Sequence, residues 1–229
     1  MSWLKTTLTT ALGKKVLVGL SGLSLVLFII THLIGNMMVF ATAYDDKGGR
    51  IDDSGLNAYA KALHDLPGFA VIEFSLLALF IIHIVLVLNL AMQNRAARGS
   101  ARYAVTASKR TDGRWQSLAS RSMVAGGIVL LLFLLVHIWD IRAQRDVIPD
   151  DLHGHLAELF QSPFRVALYI LGSLLVAWHV LHGIQSAFRS LGFNHSKYSP
   201  FIRKGGALLC IIIGLGFAAI PIWFFIGQG

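Results

Sequence analysis

The chain contains few charged residues and few residues that interrupt regular structure. Only 14% of its 229 residues are charged and five are proline, whereas 55% are hydrophobic. A soluble domain of this size could not cover so apolar a composition with so few charges. The sequence therefore excludes an ordinary water-soluble globular protein and makes the lipid bilayer the expected solvent.

Cysteine is almost absent, since Cys210 is the only one and lies in the last apolar run. A single cysteine excludes an intrachain disulfide and a cysteine-ligated cluster, and a free cysteine usually behaves as a small hydrophobic residue. The first apolar run is also too long for a cleaved signal peptide. We therefore expect that run to be retained as a membrane helix.

Long apolar runs are abundant. Five of them, near 16–41, 68–93, 122–141, 164–188 and 205–226, can each supply the about 20 residues that cross a hydrocarbon core. The alternation typical of a membrane barrel is absent, and at that depth a helix satisfies its own backbone groups. We predict an all-α integral membrane protein, a single domain over residues 1–229. Its five transmembrane helices are expected at about 14–42, 67–95, 119–143, 163–191 and 201–227.

Lysine and arginine are distributed unevenly between the two sets of connecting segments. With the N-terminus in the cytoplasm, that side holds fourteen of the 20 basic residues and only one acid, Asp112. Because basic loops stay inside, the sequence predicts a cytoplasmic N-terminus and an outside C-terminus. The basic face could simply attract anionic lipid, at about 1 kcal/mol per cation, or could also dock a soluble partner.

Two connections are longer than the others. In the outer one, 42–67, the residues Asp45–Gly49 predict a turn, and Ser54–Leu66 predict a short amphipathic helix with Ser54 as its N-cap. One apolar stripe of this helix consists of Leu56, Tyr59, Ala60 and Leu63. We expect the helix to lie along the outer surface. The inner loop, 95–120, is basic and carries no recognisable chemistry.

Five of the nine histidines fall inside the predicted helices: His32, His83, His137, His179 and His182. An ionisable group at membrane depth is costly and indicates function. At 1.5 Å per residue, His32 and His137 lie in the outer half of the bilayer, whereas His83 and His179 lie in the inner half. Two pairs at two heights, each from two helices, match the axial ligands of two stacked haems.

The fourth helix offers two candidate ligands, because His179 and His182 are three residues apart on nearly one face. We favour His179, whose depth matches His83 and which Gly183 gives room. His182 could instead meet a haem propionate or a loop carbonyl, although the helical wheel alone does not exclude it as the ligand. Small residues near the histidines could admit a flat macrocycle or serve close helix packing. They are Gly19, Gly22, Gly35, Gly126, Gly127, Gly172 and Gly183.

Several short motifs occur in a fixed order along almost the whole chain. They are His32-Leu33-Ile34-Gly35-Asn36, Asn57-Ala58-Tyr59 with Leu63-His64, His83, His137-Ile138-Trp139-Asp140, and His179 through Gly183 to Leu191-Gly192. In this order the chain resembles the five-helix dihaem cytochrome b subunit that anchors succinate:quinone oxidoreductases and the related quinol:fumarate reductases. Each motif is weak alone, and their order and depth make the resemblance specific.

The resemblance implies two haem b groups, the inner one held by His83 and His179 and the outer one by His32 and His137. It also implies a flavoprotein subunit with FAD that oxidises succinate, and an iron–sulfur subunit on the basic inner face. This chain would be the multi-pass subunit in a bacterial cytoplasmic membrane that passes electrons to a quinone, with menaquinone suggested by the two haems. No nucleic acid is expected as a partner.

The quinone site is less clearly marked. The acid that serves quinol near the first outer loop in some fumarate-reducing relatives has no convincing match here. Candidates near the outer haem are His64, Tyr59, Asn36 and Asp140, each of which could instead be a capping or surface polar group. Glu73 could relay protons to an outer quinone or be an interfacial glutamate. Ser21, Ser24 or Arg121 could frame a site at the inner face.

Three other classes of protein remain open at this point. A dihaem subunit of a formate dehydrogenase or hydrogenase also uses membrane histidines, but with a different helix count and ligand placement. A haem-free transporter or proton channel could use the histidines as a relay, although no broken helix or inverted repeat is visible in the sequence. A purely structural anchor with fewer haems is the third.

Overall fold

The computed structural model describes residues 10–51, 54–97, 114–143 and 151–227. Its long helices are α1 (Ala11–Asn36), α3 (Phe69–Ala97), α4 (Arg114–Ile138), α6 (Pro163–Ser190) and α7 (Ser199–Gly227), and its short ones are α2 (Gly55–His64) and α5 (Leu152–Leu159). A 3-10 turn, Met37–Ala41, extends α1, and a π-helical turn, Trp139–Ala143, extends α4. No strand occurs in these residues apart from an isolated bridge between Tyr44 and Arg50.

Five helices are long and apolar enough to cross a membrane, which confirms the all-α, five-helix class predicted from the sequence. Local signals set where some of them begin. The hydroxyl of Thr10 accepts a hydrogen bond from the Gly13 N–H at 3.2 Å and caps α1. Pro163 opens α6, where its fixed φ suits the first helical turn.

Two central helices organise the bundle. α1 and α6 pack against each other, α3 packs mainly against α1, and α4 packs mainly against α6. α3 and α4 make few contacts with one another, while α7 covers α6 and part of α1. As a result, α1 lies diagonally opposite α4, and α3 lies diagonally opposite α6. The two helices of each diagonal do not pack closely against one another. The interior between these diagonal partners is where the histidines lie.

Small residues allow α7 to approach its neighbours closely. A Cβ added to Gly214 would lie 3.0 Å from the Cβ of Ala177 in α6, and one added to Gly216 would lie 2.9 Å from the Leu33 side chain of α1. The side chain of Ile213, the residue before Gly214, is completely buried. Packing of this kind, with small residues between helices, is the usual source of association inside a bilayer.

One end of the bundle, opposite the start of α1, carries both short helices and is called the capped end below. Asp151 joins its parts: the carboxylate accepts hydrogen bonds from Arg50 Nη1 at 2.6 Å, Asn57 Nδ2 at 3.0 Å and the Gly154 N–H at 2.8 Å. The Arg50 guanidinium holds the pKa of the Asp151 carboxyl well below its usual range. The carbonyl oxygen of the Asn57 side chain accepts from the His153 N–H at 2.9 Å. Segments about a hundred residues apart in sequence are thereby tied together.

The amphipathic helix predicted after the first outer turn is confirmed as α2. Leu56 is buried, and the Tyr59 ring packs on Gly35, where an added Cβ would lie 2.5 Å from the ring. Ser54 occupies the N-cap position, but its side chain makes no capping hydrogen bond. Its hydroxyl instead bonds the chain before the helix, donating to the Ile51 carbonyl and accepting from the Ala43 N–H. The predicted N-cap position of Ser54 is therefore confirmed, whereas the capping hydrogen bond expected from its side chain is absent because the preceding loop uses the same hydroxyl.

The turn predicted at Asp45–Gly49 is also confirmed. The Asp45 N–H donates to the Gly49 carbonyl at 2.7 Å, and the Gly48 N–H donates to the Asp45 carbonyl at 2.9 Å. Gly48 has a positive φ of 81°, which glycine adopts readily. This turn delivers Arg50 to Asp151.

Replacing Asp151 with asparagine should weaken the capped end. The ion pair with Arg50 is partly exposed, so we expect the free energy of unfolding at pH 7 to fall by about 0.2–1 kcal/mol. A lowered native pKa contributes stability above the unfolded value, near 3.9, and that stability is lost as the pH falls through the native pKa. Unfolding in detergent at pH 7 and below pH 4 should show the difference shrinking in acid, with Asp46→Asn as control. A difference that stays constant across this range would contradict the assignment.

Candidate cofactor site

The first histidine pair crosses the bundle from α1 to α4. The imidazole centres of His32 and His137 are 5.9 Å apart, and their planes are 84° from parallel. A phenylalanine one turn earlier stacks on each ring: Phe28 on His32, with centres 5.3 Å apart, and Phe133 on His137, with centres 6.1 Å apart. These stacks limit the rotation of both imidazoles.

The second pair, His83 in α3 and His179 in α6, belongs to the other diagonal of the bundle. Each ring rests against a glycine of the adjacent helix. A Cβ added to Gly22 would lie 3.3 Å from His83 Cε1, and one added to Gly127 would lie 3.5 Å from His179 Cε1. Ser21 Oγ lies 3.0 Å from His83 Nδ1. The glycines therefore make the space that the two rings occupy.

The two pairs lie at different levels along the bundle. In α1, ten residues separate Gly22, which touches the second pair, from His32 of the first. In α4, ten residues likewise separate Gly127 from His137. At 1.5 Å per residue the two levels are about 15 Å apart by either helix, which is half of the about 30 Å of a hydrocarbon core.

His179 and His182 differ in their surroundings. The Nδ1 atom of His179 is buried and has no hydrogen-bond partner among the described residues. His182 follows one turn later on α6 and is partly buried. The choice of His179 over His182 as a ligand stays a prediction.

Two of the quinone candidates contact α1 at or just after His32. The side-chain amide of Asn36 donates to the His32 carbonyl at 2.7 Å, and its Nδ2 lies 3.4 Å from each nitrogen of the His32 ring. Tyr59 covers Gly35, the neighbour of Asn36. His64, in contrast, is exposed at the end of α2, with its ring 5.6 Å from that of Phe69.

Asp140 forms a buried polar cluster next to His137. Its carboxylate accepts hydrogen bonds from Arg165 Nη1 at 2.9 Å and the Tyr169 hydroxyl at 3.1 Å, and its side chain is only 4% exposed. The Tyr169 ring lies 5.9 Å from the His137 ring, and His155 Nε2 donates to the Asp140 carbonyl at 2.7 Å. Sequence reasoning missed Arg165 and Tyr169. The sequence did contain a signal for this pair. A buried acid requires a cation, and Arg165 lies in the first turn of α6 at the same end of the bundle.

Glu73 also has an arginine partner, but in a more exposed place. Arg142 approaches its two carboxylate oxygens at 3.1 and 3.4 Å, and the side chains of Arg142 and Glu73 are 53% and 34% exposed. Both lie at the capped end, where an interfacial ion pair is expected. At the other end, the Ser24 hydroxyl donates to the Leu20 carbonyl, and the side chain of Arg121 lies outside the described residues.

A further buried imidazole, His153 in α5, lies outside the spanning helices and was not anticipated. Its ring packs between Trp223 and Phe224, with centres 6.0 and 5.1 Å away. Burial lowers the pKa of His153, so the ring is neutral at pH 7. It fills the capped end and lies away from both histidine pairs in sequence.

The fold and these side chains define a class: a five-helix membrane protein with two pairs of imidazoles at two depths. Within the described residues, no group of three or more histidine, cysteine or acidic side chains could enclose a metal ion. Comparison of the chain with known protein families, curated proteins and solved structures finds no match.

The two carboxylate–arginine pairs allow a matched test of burial. Asp140→Asn removes the charge that Arg165 and Tyr169 face in a buried site, so we expect a loss of about 1–3 kcal/mol in the free energy of unfolding. Glu73→Gln breaks an exposed pair and should cost less than about 1 kcal/mol. Unfolding of both variants in mixed detergent micelles measures the two values. Equal losses would show that the Asp140 cluster is not a buried structural pair.

Proposed function

We propose that this protein is the dihaem cytochrome b membrane anchor of a succinate:quinone oxidoreductase. The observation that carries the proposal is the pair of histidine pairs, one on each diagonal of the bundle and about 15 Å apart in depth. Axial ligation of two haems needs one imidazole on each side of each iron. The proposal that the partner enzyme is a succinate:quinone oxidoreductase rests on the order of motifs along the chain.

The dimensions of the first pair suit a six-coordinate iron. With metal–imidazole bonds of about 2.0–2.1 Å, two opposite nitrogens lie about 4 Å apart and the ring centres about 6 Å apart. The 5.9 Å between His32 and His137 agrees with this spacing. Ordinary ring packing gives similar distances, so the second pair and its glycines are needed to support a cofactor.

When bound, the haems supply one-electron redox chemistry. His32, His137, His83 and His179 would hold the two haems through their imidazole nitrogens, and Phe28 and Phe133 orient the rings of the first pair. Gly22 and Gly127 keep the level of the second pair open to His83 and His179. The apolar outer surfaces of the helices would keep water away from both haems. This exclusion of water would help to set the reduction potentials of the haems.

The distribution of charge supports a direction for the electron path. In the sequence, most basic residues fall in the connecting segments on the side where α1 begins, and this side is proposed to face the cytoplasm. In the proposed complex an iron–sulfur subunit docks there, next to the level of His83 and His179, and a flavoprotein with FAD oxidises succinate. Electrons received there would continue to the level of His32 and His137 and reduce a quinone, with menaquinone as the proposed acceptor. The membrane is proposed to be the bacterial cytoplasmic membrane.

The capped end offers polar groups for quinone chemistry close to the first pair. Asn36 lies beside His32, Tyr59 packs on Gly35 one turn later, and Asp140 is joined to His137 through Tyr169. An amide and a phenol can donate hydrogen bonds to a quinone oxygen. Among the acids considered, Asp140 lies nearer to a histidine pair than Glu73, whose partner is the exposed Arg142.

The first test is the pigment itself. The purified protein should show the reduced spectrum of a low-spin b-type cytochrome and contain two haems per chain, because it provides two bis-histidine sites. Visible spectroscopy and a haem-to-protein ratio measure this. A colourless preparation from haem-replete cells, with the partner subunits intact, would overturn the proposal.

The second test separates the two candidate ligands of α6. His179→Ala should remove the haem at the level of His83 and leave one haem per chain, whereas His182→Ala should retain both. Haem content and the reduced spectrum report the result, and unchanged size-exclusion behaviour shows that the variants fold. Two haems in His179→Ala and one in His182→Ala would reverse the assignment.

A further inference from the structure

The two helices that carry the first histidine pair repeat one pattern. A glycine is followed six residues later by phenylalanine and ten residues later by histidine. The pattern is formed by Gly22, Phe28 and His32 in α1 and by Gly127, Phe133 and His137 in α4. The structure uses both copies alike, since each phenylalanine stacks on its histidine and each glycine receives a histidine ring from the adjacent helix.

The two copies of the pattern differ at the residue before each glycine. In α1 this residue is Ser21, whose Oγ lies 3.0 Å from Nδ1 of His83. In α4 it is Gly126, which has no hydroxyl, and Nδ1 of His179 is buried without a hydrogen-bond partner among the described residues. Of the second histidine pair, one imidazole is therefore anchored and the other is not.

The hydrogen bonds of Ser21 indicate which nitrogen of His83 carries the proton. Ser21 Oγ lies 3.2 Å from the Val18 carbonyl, which can only accept. The serine hydroxyl therefore donates to Val18, and its oxygen accepts from the N–H at Nδ1 of His83. This arrangement satisfies both bonds at once and leaves the lone pair on Nε2, the nitrogen that is free to bind a metal.

We propose that Ser21 is a positioning residue for the inner haem. It fixes the tautomer and orientation of His83 through Nδ1, so that Nε2 would be the nitrogen that binds the iron, and it would make this imidazole a stronger electron-pair donor. This inference rests on the proposed haem binding. A hydrogen bond from the far nitrogen of a ligating histidine raises the basicity of the ligand, which favours ferric over ferrous iron. Ser21 therefore lowers the midpoint potential of the inner haem, whereas His179 gives no comparable contribution.

Two substitutions should move this potential in opposite directions. Ser21→Ala removes the acceptor, and we expect about a tenfold loss in the preference for ferric iron, or a rise of about 59 mV for a one-electron couple. Gly126→Ser places a hydroxyl next to Gly127, in a position where an added Cβ meets nothing within 4 Å. By the repeat, that hydroxyl can accept from Nδ1 of His179, and the potential should fall.

The experiment is a redox titration of the full complex, in which visible and EPR spectra measure the midpoint potential of each haem. The inner haem is identified as the component lost in His179→Ala. Ser24→Ala is the matched control, because Ser24 lies one turn from Ser21 and its hydroxyl is exposed and bonded to its own helix. Ser21→Thr keeps a hydroxyl and should retain the original potential.

The outcomes separate this inference from the proposed function. A rise confined to the inner haem in Ser21→Ala, or selective loss of that haem, supports the role of Ser21. Unchanged potentials in both Ser21→Ala and Gly126→Ser, or equal shifts of both haems, overturn it while leaving dihaem binding intact. Absence of haem from the unmodified protein overturns the proposed function instead. Gly126→Ser removes no side chain, so the inference stays testable if Ser21→Ala fails to fold.

Discussion

A polar side chain inside hydrocarbon needs a partner, because water is not available there to supply one. The described spans obey this constraint closely. Asp140 is held by Arg165 and Tyr169, and Glu73 lies with its arginine near the surface. The buried exception in the spans is Nδ1 of His179. In such a setting four imidazoles are costly unless a partner accepts their lone pairs, and the haem iron of the proposed function would be such a partner.

Much of the fold could be predicted from local patterns. Hydropathy and length predict the five spans and periodicity predicts α2, because both are short-range properties of the chain. Depth along each helix suggests which histidines share a level, since the rise per residue is nearly constant. The rings of His32 and His137 do lie together.

The remaining features depend on contacts between distant segments. Asp151 meets Arg50 about a hundred residues earlier in sequence, and Ser21 meets His83 from another helix. No periodicity encodes such meetings, because they follow from how whole helices pack. The Ser54 hydroxyl shows the same limit on a smaller scale, since a nearby loop took the bond that the helix start was expected to receive.

The loose contact between α3 and α4 has a thermodynamic consequence. α3 is attached mainly through α1, so its position relative to α6 is only weakly fixed by packing. A ligand that bridges His83 and His179 acts as a cross-brace between these two helices. Binding of such a ligand and the stability of the helix bundle are then linked, because a ligand that binds only the assembled bundle stabilises it by mass action.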